Sequence, residues 1–357
     1  MQELERDLER ALRECVYASL GVEIARLEAL PAGLSTRRFF RITTRCGQPR
    51  TLIARLDAPE DSAGRPAGAA PEPPLVPIQR FLARHGLPVP RRYSGDPQQG
   101  IELLEDVGEL ALADAVQKAD AAQRTQLYRA ACSLIPRFQQ AAEPSAPVTG
   151  LLAFQRKLDA SMIRYKAQLF CTLSLPLAFG RPARRGEREC VASAFAHIAD
   201  ECDRAPQRLA HRDFQSRNLH VRWPSDGIPM LAVLDFQGAF LAPPEYDLVC
   251  LLRDSYVEIP ESEVQARAEE VRPQLPDAPE QKEFWNRMDL ITLVRKAKDH
   301  ARFVYAAHHR GALNLREYLP RTARMLRAAA ARAAARNPRL TSLSALMARL
   351  AEAPCAP

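Results

Sequence analysis

Two short segments of the chain carry residue types that suit the transfer of a phosphoryl group. The first reads H-R-D-F-Q-S-R-N, in which Asn218 comes five residues after Asp213. The second reads L-D-F-Q, in which Asp235 comes seventeen residues after Asn218. Phosphoryl transfer needs a group that accepts the proton of the attacking hydroxyl, and cations on the phosphate oxygens. We therefore predict that Asp213 is the base and that Asn218 and Asp235 bind Mg²⁺, a hard ion that prefers oxygen ligands.

The pattern has a simpler explanation that must be weighed. An isolated H-R-D tripeptide occurs by chance, and an aspartate such as Asp213 often only caps a helix. The complete pattern, followed by D-F-Q after the apolar stretch 231–234, is much rarer and favours catalysis. The chain has no G-x-x-x-x-G-K-[ST], G-x-G-x-x-G, G-x-S-x-G or H-E-x-x-H segment, which argues against P-loop, dinucleotide, serine-hydrolase and zinc-protease chemistry.

The elements that must position these residues follow from the hydrophobic spacing. Strands are predicted at 22–30, 38–44, 51–56, 91–94 and 101–104, with a short strand-rich stretch at 219–235. Helices are predicted at 3–20, 75–85, 122–141, 151–171, 186–204, 246–257, 279–309 and 316–335. A strand-rich first third thus precedes a helix-rich remainder, which indicates an α+β protein with two lobes.

Composition narrows the class of protein. The chain has 357 residues, of which 46% are hydrophobic and 26% are charged, enough apolar material for a large core. The net charge of +7 favours anionic partners, but no nucleic-acid-reading motif accompanies it, so we expect no nucleic-acid partner. The eight cysteines form no C-x-x-C pair, and no run of about 18 apolar residues is present. We expect a cytoplasmic protein that does not insert into a membrane.

At these residues the chain resembles the aminoglycoside phosphotransferase and choline kinase superfamily. It looks most similar to the bacterial cell-wall-recycling kinases that phosphorylate the anomeric hydroxyl of N-acetylmuramate and N-acetylglucosamine. The segments that carry the resemblance are S-T-R-R-F-F-R at 35–41, L-D-A-P at 56–59, L-L-E-D-V-G at 103–108, the two catalytic segments, Y-D-L at 246–248, D-S-Y at 254–256, R-x-x-K at 295–298 and Y-L-P-R at 318–321.

The resemblance implies a bilobal protein-kinase-like fold. Residues 1–108 would form a small antiparallel-sheet lobe that binds the nucleotide and ends in the hinge. Residues 109–357 would form a helical lobe with the catalytic loop, the metal site and the acceptor site. It also implies ATP and Mg²⁺ as cofactors, with GTP left open, and a small sugar as acceptor.

Further site residues follow from the same resemblance. Adenine would lie along the backbone of Leu104, Glu105 and Asp106, and the loop that contains Gly33 and Ser35 would cover the phosphates. No strand lysine of the protein-kinase type is present, so Arg55, Arg38 or Arg41 would replace it as the phosphate contact. The expected acceptor contacts are Arg217, Gln237, Asp254 and Tyr256. Asp254 and Tyr256 also have structural explanations, and Arg217 could instead neutralise charge beside Asp213 or pair with a nearby acid. Asp247 is expected to cap or brace the helix at 248–257 and to hold the catalytic loop by hydrogen bonds.

One departure keeps other functions open. The family's D-F-Q-D reads D-F-Q-G here, with Gly238 in place of an acid. An aminoglycoside or other small-alcohol phosphotransferase has the same fold, although cationic aminoglycosides suit acid-lined sites, which the net charge of +7 and Gly238 disfavour. The missing strand lysine leaves open a third function, that of an inactive nucleotide-binding scaffold.

Overall fold

A computed structural model describes residues 2–31, 37–57, 73–141, 150–224 and 227–352, with side chains described between residues 6 and 350. Five strands form one antiparallel sheet in the order β1-β2-β3-β5-β4. These strands are β1 (Ile24–Ala29), β2 (Arg38–Thr44), β3 (Thr51–Leu56), β4 (Arg92–Asp96) and β5 (Ile101–Glu105). All five match strands that the sequence predicts, and the bounds of β2 and β3 are those expected.

The two faces of this sheet have different surroundings. Helix α1 (Gln2–Leu20) places Leu12 and Val16 against Phe40 and Leu52, which form a small core on one face. The cross-strand pairs put Phe39 opposite Arg55 and Arg41 opposite Ile53, on the other face. Since successive side chains of a strand alternate, that second face is the one α1 leaves uncovered.

The remainder of the described chain is mainly helical. Its helices are α2 (Leu75–Arg84), α3 (Leu112–Lys118), α4 (Ala121–Gln140), α5 (Leu152–Gln155), α6 (Ala160–Leu169), α7 (Leu175–Phe179), α8 (Arg185–Arg204), α9 (Tyr246–Leu252), α10 (Glu261–Val271), α11 (Gln281–His309), α12 (Leu319–Arg336) and α13 (Thr341–Glu352). Their apolar faces, including that of α2, pack into one large core. Strands in one part and helices in the other confirm the predicted α+β class.

Two short strand pairs interrupt the helices and carry the catalytic segments. Strand β6 (Arg208–Ala210) pairs with β9 (Phe240–Ala242), and β7 (Leu219–Arg222) pairs with β8 (Met230–Val233). The sequence predicted the second pair and missed the first, whose strands of three residues are too short to show alternation.

The predicted helix at 151–171 is wrong in its continuity. The chain instead forms α5, an extended stretch, α6, a π-helical turn (Phe170–Ser174) and α7. The extended stretch pairs with β9, since the amide of Leu158 donates to the carbonyl of Leu241 and the amide of Leu241 donates to the carbonyl of Arg156, both at 2.8 Å. Pairing with a distant strand therefore overrides the local helix preference, and α6 starts anew at the N-cap Asp159.

No helix within the described ranges is both long and apolar enough to cross a membrane.

Candidate active site

The catalytic loop leaves β6 at Ala210 and enters β7 at Leu219. Its backbone is held by the carboxylate of Asp247, which accepts hydrogen bonds from the amides of His211 at 2.6 Å and Arg212 at 3.1 Å. Arg212 has a φ of 81°, a left-handed conformation that a side-chain-bearing residue adopts only when its surroundings enforce it. The expected bracing role of Asp247 is confirmed. Burial raises the pKa of Asp247 to about 7, although the two amide donors oppose that shift.

His211 ties this loop to the second catalytic segment. Its ring is fully buried, and Nε2 lies 2.8 Å from the carbonyl oxygen of Leu234, the residue before Asp235. Burial lowers the pKa of His211 to about 4, so the ring is neutral at neutral pH. His211 therefore acts as an uncharged link between the segments.

The carboxylate of Asp213 lies among several positively charged side chains. Its Oδ1 accepts a hydrogen bond from Nη1 of Arg295 at 2.7 Å and lies 3.4 Å from Nζ of Lys298. Burial by itself would raise the pKa of Asp213, but the charges of Lys298, Arg295 and Arg212 hold it well below the ordinary value of 3.8. The side chain keeps 27% of its surface exposed, so an ionised oxygen is accessible from outside.

The residues that hold Asp213 come from α11, and the sequence did not assign them this role. Arg295 is 2% exposed and also donates to the carbonyl of Arg212 at 2.8 Å and to Oε1 of Gln215 at 3.1 Å. Asp299 lies 3.4 Å from Nε of Arg295 and 3.1 Å from Nζ of Lys298, which completes a buried charge network. The available signal was the R-x-x-K spacing, which places both cations on one side of a helix.

Hydrogen bonds link the parts of the chain that carry Asp213, Asn218 and Asp235. The side-chain nitrogen of Asn218 donates to the carbonyl of Asp213 at 2.8 Å, so the amide oxygen is the atom left for a metal. The amide of Leu234 donates to the carbonyl of Asn218 at 2.8 Å, which places Asp235 beside Asn218 across the β7–β8 pair.

Asp235 is a residue whose carboxylate could hold a metal ion. It is exposed, has a φ of 61° at the end of β8, and its Oδ1 accepts a hydrogen bond from Nε2 of Gln237 at 2.5 Å. Gln237, expected as an acceptor contact, is buried and here orients Asp235. One amide oxygen and one carboxylate fit Mg²⁺, which usually takes few protein ligands and completes its shell with phosphates and water.

Arg212 lies close to the second segment at Gly238. A β-carbon at Gly238 would lie 3.4 Å from Nη1 of Arg212, an ordinary van der Waals contact, so the guanidinium packs directly against this glycine. Arg212 is 39% exposed, and its Nε lies 3.9 Å from Oδ2 of Asp213. A cation therefore lies beside both Asp213 and Gly238, a position that carries no acidic side chain in this chain.

The phosphate-binding residues expected in the sheet separate into two groups. Arg38 lies opposite Leu56, on the face that α1 covers, and its guanidinium stacks over Phe40 with 5.0 Å to the ring centroid. The expectation that Arg38 contacts phosphate is therefore wrong, because alternation turns its side chain away from the face that α1 leaves uncovered. Arg55 lies on that uncovered face, which we call the open face. It is 5% exposed and donates to Oδ1 of Asp57 at 2.6 Å. Gly33 and Ser35 lie outside the described residues.

The segment 104–108, which was expected to form the hinge, is held by side chains from both parts of the chain. Asp106 receives two bonds from Arg41, at 2.8 and 3.1 Å, and Glu105 receives one from Arg222 at 2.9 Å. Burial would raise the pKa of Asp106, but the bonds from Arg41 lower it. Arg41 is thus engaged with Asp106 and does not replace the strand lysine.

The backbone of the hinge is also partly engaged. The carbonyl of Asp106 accepts from Arg222 at 2.9 Å, and the carbonyl of Gly108 lies 2.7 Å from Nδ1 of His220. Leu104 lies within β5, paired with Ile53. A nucleotide base that binds at this segment could therefore form hydrogen bonds only with its other backbone groups.

The expected acceptor contacts have unequal positions. Asp254 is 1% exposed, and its two oxygens accept from the amides of Ser216 at 2.7 Å and Tyr256 at 2.9 Å. This geometry gives Asp254 a structural role, in which it supports the catalytic loop, in place of acceptor contact. Arg217 is exposed, with its guanidinium 4.1 Å above the ring of Tyr256.

Comparison with known proteins decides the family. The model of the phosphotransferase enzyme family matches residues 26–285. The N-acetylmuramate/N-acetylglucosamine kinase of Pseudomonas aeruginosa is 30% identical over 363 residues, which cover 98% of this chain and 96% of the relative. This chain belongs to the phosphotransferase enzyme family. It is an enzyme that transfers a phosphoryl group to a hydroxyl, which confirms the resemblance read from the motifs.

Other similar proteins agree with this assignment. An N-acetylmuramate/N-acetylglucosamine kinase of Pseudomonas putida is 27% identical over 54% of this chain and 52% of the relative. A choline kinase structure from Streptococcus pneumoniae superposes with a TM-score of 0.61 at 14% identity, covering 90% of this chain and 99% of that one. An aminoglycoside phosphotransferase solved with streptomycin and ATP gives 0.56 at 14% identity, covering 90% and 97%. These structures confirm the bilobal protein-kinase-like fold.

Proposed function

We propose that this phosphotransferase moves the γ-phosphoryl group of ATP onto a sugar hydroxyl, namely the anomeric hydroxyl of N-acetylmuramate, N-acetylglucosamine or both. The observation that carries the proposal is the ionised, partly exposed Asp213, fixed by Arg295 and Lys298 and joined through its own carbonyl to Asn218. The names of the similar kinases from two Pseudomonas species support the sugar as acceptor. The intact catalytic residues argue against an inactive scaffold.

The proposed chemistry assigns Asp213 a limited basicity. The sugar oxygen forms a bond to the γ-phosphorus while the bond to the β–γ bridging oxygen breaks, so the nucleoside diphosphate leaves. The hydroxyl proton passes to Asp213. Because the transition state of phosphoryl transfer is loose, the hydroxyl loses its proton late, and a carboxylate of low pKa suffices. Its main task is to orient the hydroxyl in line with the phosphorus.

Positive charge on the phosphate oxygens would come from several sources. Asn218 and Asp235 would hold Mg²⁺, which when bound neutralises charge that develops on the transferred group. Arg212 and Lys298 lie on either side of Asp213 and would stabilise the same charge directly. Arg55, on the open face of the sheet, is our candidate for the contact that a strand lysine makes in protein kinases.

A coupled assay of ADP release tests this proposal. The wild-type enzyme is expected to turn over with ATP, Mg²⁺ and at least one of the two sugars. Asp213→Ala should keep nucleotide affinity and lower turnover by about 10²- to 10⁴-fold, the usual worth of a positioned base. Exposed Lys282 offers a control, since Lys282→Ala should behave as wild type. Turnover with a panel of other alcohols and with neither sugar would refute the acceptor assignment, and equal activity of Asp213→Ala would refute the base.

A further inference from the structure

One cation beside the catalytic loop is held by aromatic rings instead of a carboxylate. The guanidinium carbon of Arg217 lies 4.1 Å from the ring centroid of Tyr256 and 5.4 Å from that of Tyr318. Nη2 of Arg217 donates to the hydroxyl of Tyr318 at 2.7 Å. Among the residues whose side chains are described, no acid forms an ion pair with Arg217. Its charge is therefore oriented but not neutralised.

The rings that hold Arg217 are themselves fixed. Tyr256 and Tyr318 meet edge to face at 5.0 Å between centroids, and both contact the ring of Phe303, at 5.8 and 5.5 Å. Phe303 is 2% exposed and anchors a small core with Leu315. A guanidinium held in this way has little conformational entropy left to lose when it binds a ligand.

The acids closest to this cluster are engaged elsewhere. Both oxygens of Asp254 accept backbone amides, and Asp299 is paired with cations of α11. The exposed Glu317 interacts with the hydroxyl of Tyr318. Arg217 thus remains a source of positive charge on the outer side of the catalytic loop.

The position of Arg217 relates this charge to the reaction. Arg217 lies in the 3-10 turn Ser216–Asn218, adjacent to the candidate metal ligand and four residues after Asp213. The turn that carries Arg217 therefore lies close along the chain to the carboxylate that would receive the sugar hydroxyl. Guanidinium groups bind carboxylates with two parallel hydrogen bonds, which makes them specific for that group.

We propose that Arg217, held between Tyr256 and Tyr318, binds a carboxylate on the acceptor and makes the enzyme selective for a sugar acid over the corresponding neutral sugar. This inference rests on the proposed sugar-kinase function. It also predicts weak binding of cationic acceptors, because Arg217 already occupies the ring face of Tyr256 on which a ligand cation would stack.

The test compares three acceptors with one enzyme. N-Acetylmuramate carries a carboxylate on its lactyl ether, its lactyl amide has the same size without the charge, and N-acetylglucosamine lacks the ether altogether. We expect the wild-type KM for the acid to be lower than that for the amide by about 10- to 100-fold, the range for a charge-assisted contact. Equal KM values for acid and amide in the wild type would overturn the inference without any variant.

Variants locate the contact. Arg217→Gln should raise the KM for the acid by about 10- to 100-fold and leave the KM for ATP and for both neutral acceptors within about twofold. Arg217→Lys should recover part of the loss, and Arg327→Gln, an exposed arginine on α12, serves as the control. A loss of the same size for all three acceptors, or for ATP, would show that Arg217 serves the reaction centre and would overturn the inference.

A binding measurement separates this inference from the proposed function. Calorimetric titration of Asp213→Asn with the acid and the amide, in the presence of ADP and Mg²⁺, requires no turnover. If wild type phosphorylates none of the sugars, the proposed function fails. If the acid then also binds no more tightly than the amide, the inference fails with it, whereas tighter binding of the acid that Arg217→Gln abolishes would support it.

Discussion

Lys166 is a buried cation that the proposed chemistry does not use, and its environment leads to a prediction about stability. The residue lies on α6 and is 5% exposed. Its Nζ lies 3.4 Å from the hydroxyl of Tyr246 and 5.5 Å from the centroid of that ring. No carboxylate pairs with Lys166 among the side chains that the structure describes. Burial, together with the charges of Lys298 and Arg295, lowers its pKa from 10.5 to about 7.

The sign of the effect follows from these two values. Between pH 7 and pH 10.5 the unfolded chain binds a proton at Lys166 that the folded chain has released, so stability rises with pH in this window and is flat below it. The unfavourable contribution of Lys166 to the free energy of unfolding is then about 4 kcal/mol at pH 7 and about 1 kcal/mol near pH 9.5. Lys166→Met keeps the length of the side chain and removes the charge.

We therefore expect Lys166→Met to stabilise the protein at pH 7, and the gain to shrink by roughly 3 kcal/mol near pH 9.5. Urea denaturation of wild type and variant at both pH values measures this, and titrations common to both proteins cancel in the difference. Lys282→Met, at an exposed position on α11, should show no such change. A difference between Lys166→Met and wild type that is the same at both pH values would refute the reasoning.

Two further predictions concern the support of the catalytic loop. Arg295→Met should lower the free energy of unfolding by roughly 3–5 kcal/mol, because it removes the cation that pairs with Asp299 and Asp213. It should also raise the pKa of Asp213 and so move the acid limb of the kcat profile to higher pH. Urea denaturation and a pH–rate profile measure the two effects, and an unmoved acid limb would contradict the prediction. Asp254→Asn should cost about 1–3 kcal/mol of stability and lower kcat, since an amide can accept from only one of the two backbone amides. A higher acceptor KM with unchanged stability would instead make Asp254 an acceptor contact.

The sequence predicted a helix or strand correctly where the hydrophobic residues repeat with one spacing over several helical turns or along a whole strand. The 29-residue α11 and the alternating strands β2 and β3 are of this kind. The segment 151–171 failed because residues 156–158 pair with β9, more than 80 positions along the chain. No window of local sequence contains that information, since the competing contact is tertiary.

The candidate site shows the same division between local and distant information. The sequence pattern identified the three candidate residues because they all lie within one stretch of 23 residues, namely Asp213, Asn218 and Asp235. The exclusion of Arg38 required knowing which face of the sheet α1 covers, which alternation alone does not give. Arg295 was visible as part of an R-x-x-K pair, but its bond to Asp213 joins positions 82 residues apart.

The low pKa of Asp213 and the unneutralised Arg217 are two consequences of one distribution of charge. Arg295 and Lys298 hold the carboxylate ionised and oriented, at the expense of its strength as a base. A weak base suffices only for a reaction in which the hydroxyl loses its proton late, and phosphoryl transfer has this property because its transition state is loose. This distribution of charge also leaves the acceptor side positive, so an acceptor that carries its own carboxylate would bind more favourably here than a cationic alcohol. The arrangement of cations thus bears on both the reaction type and the acceptor, and the comparison of acid with amide examines the second independently of the first.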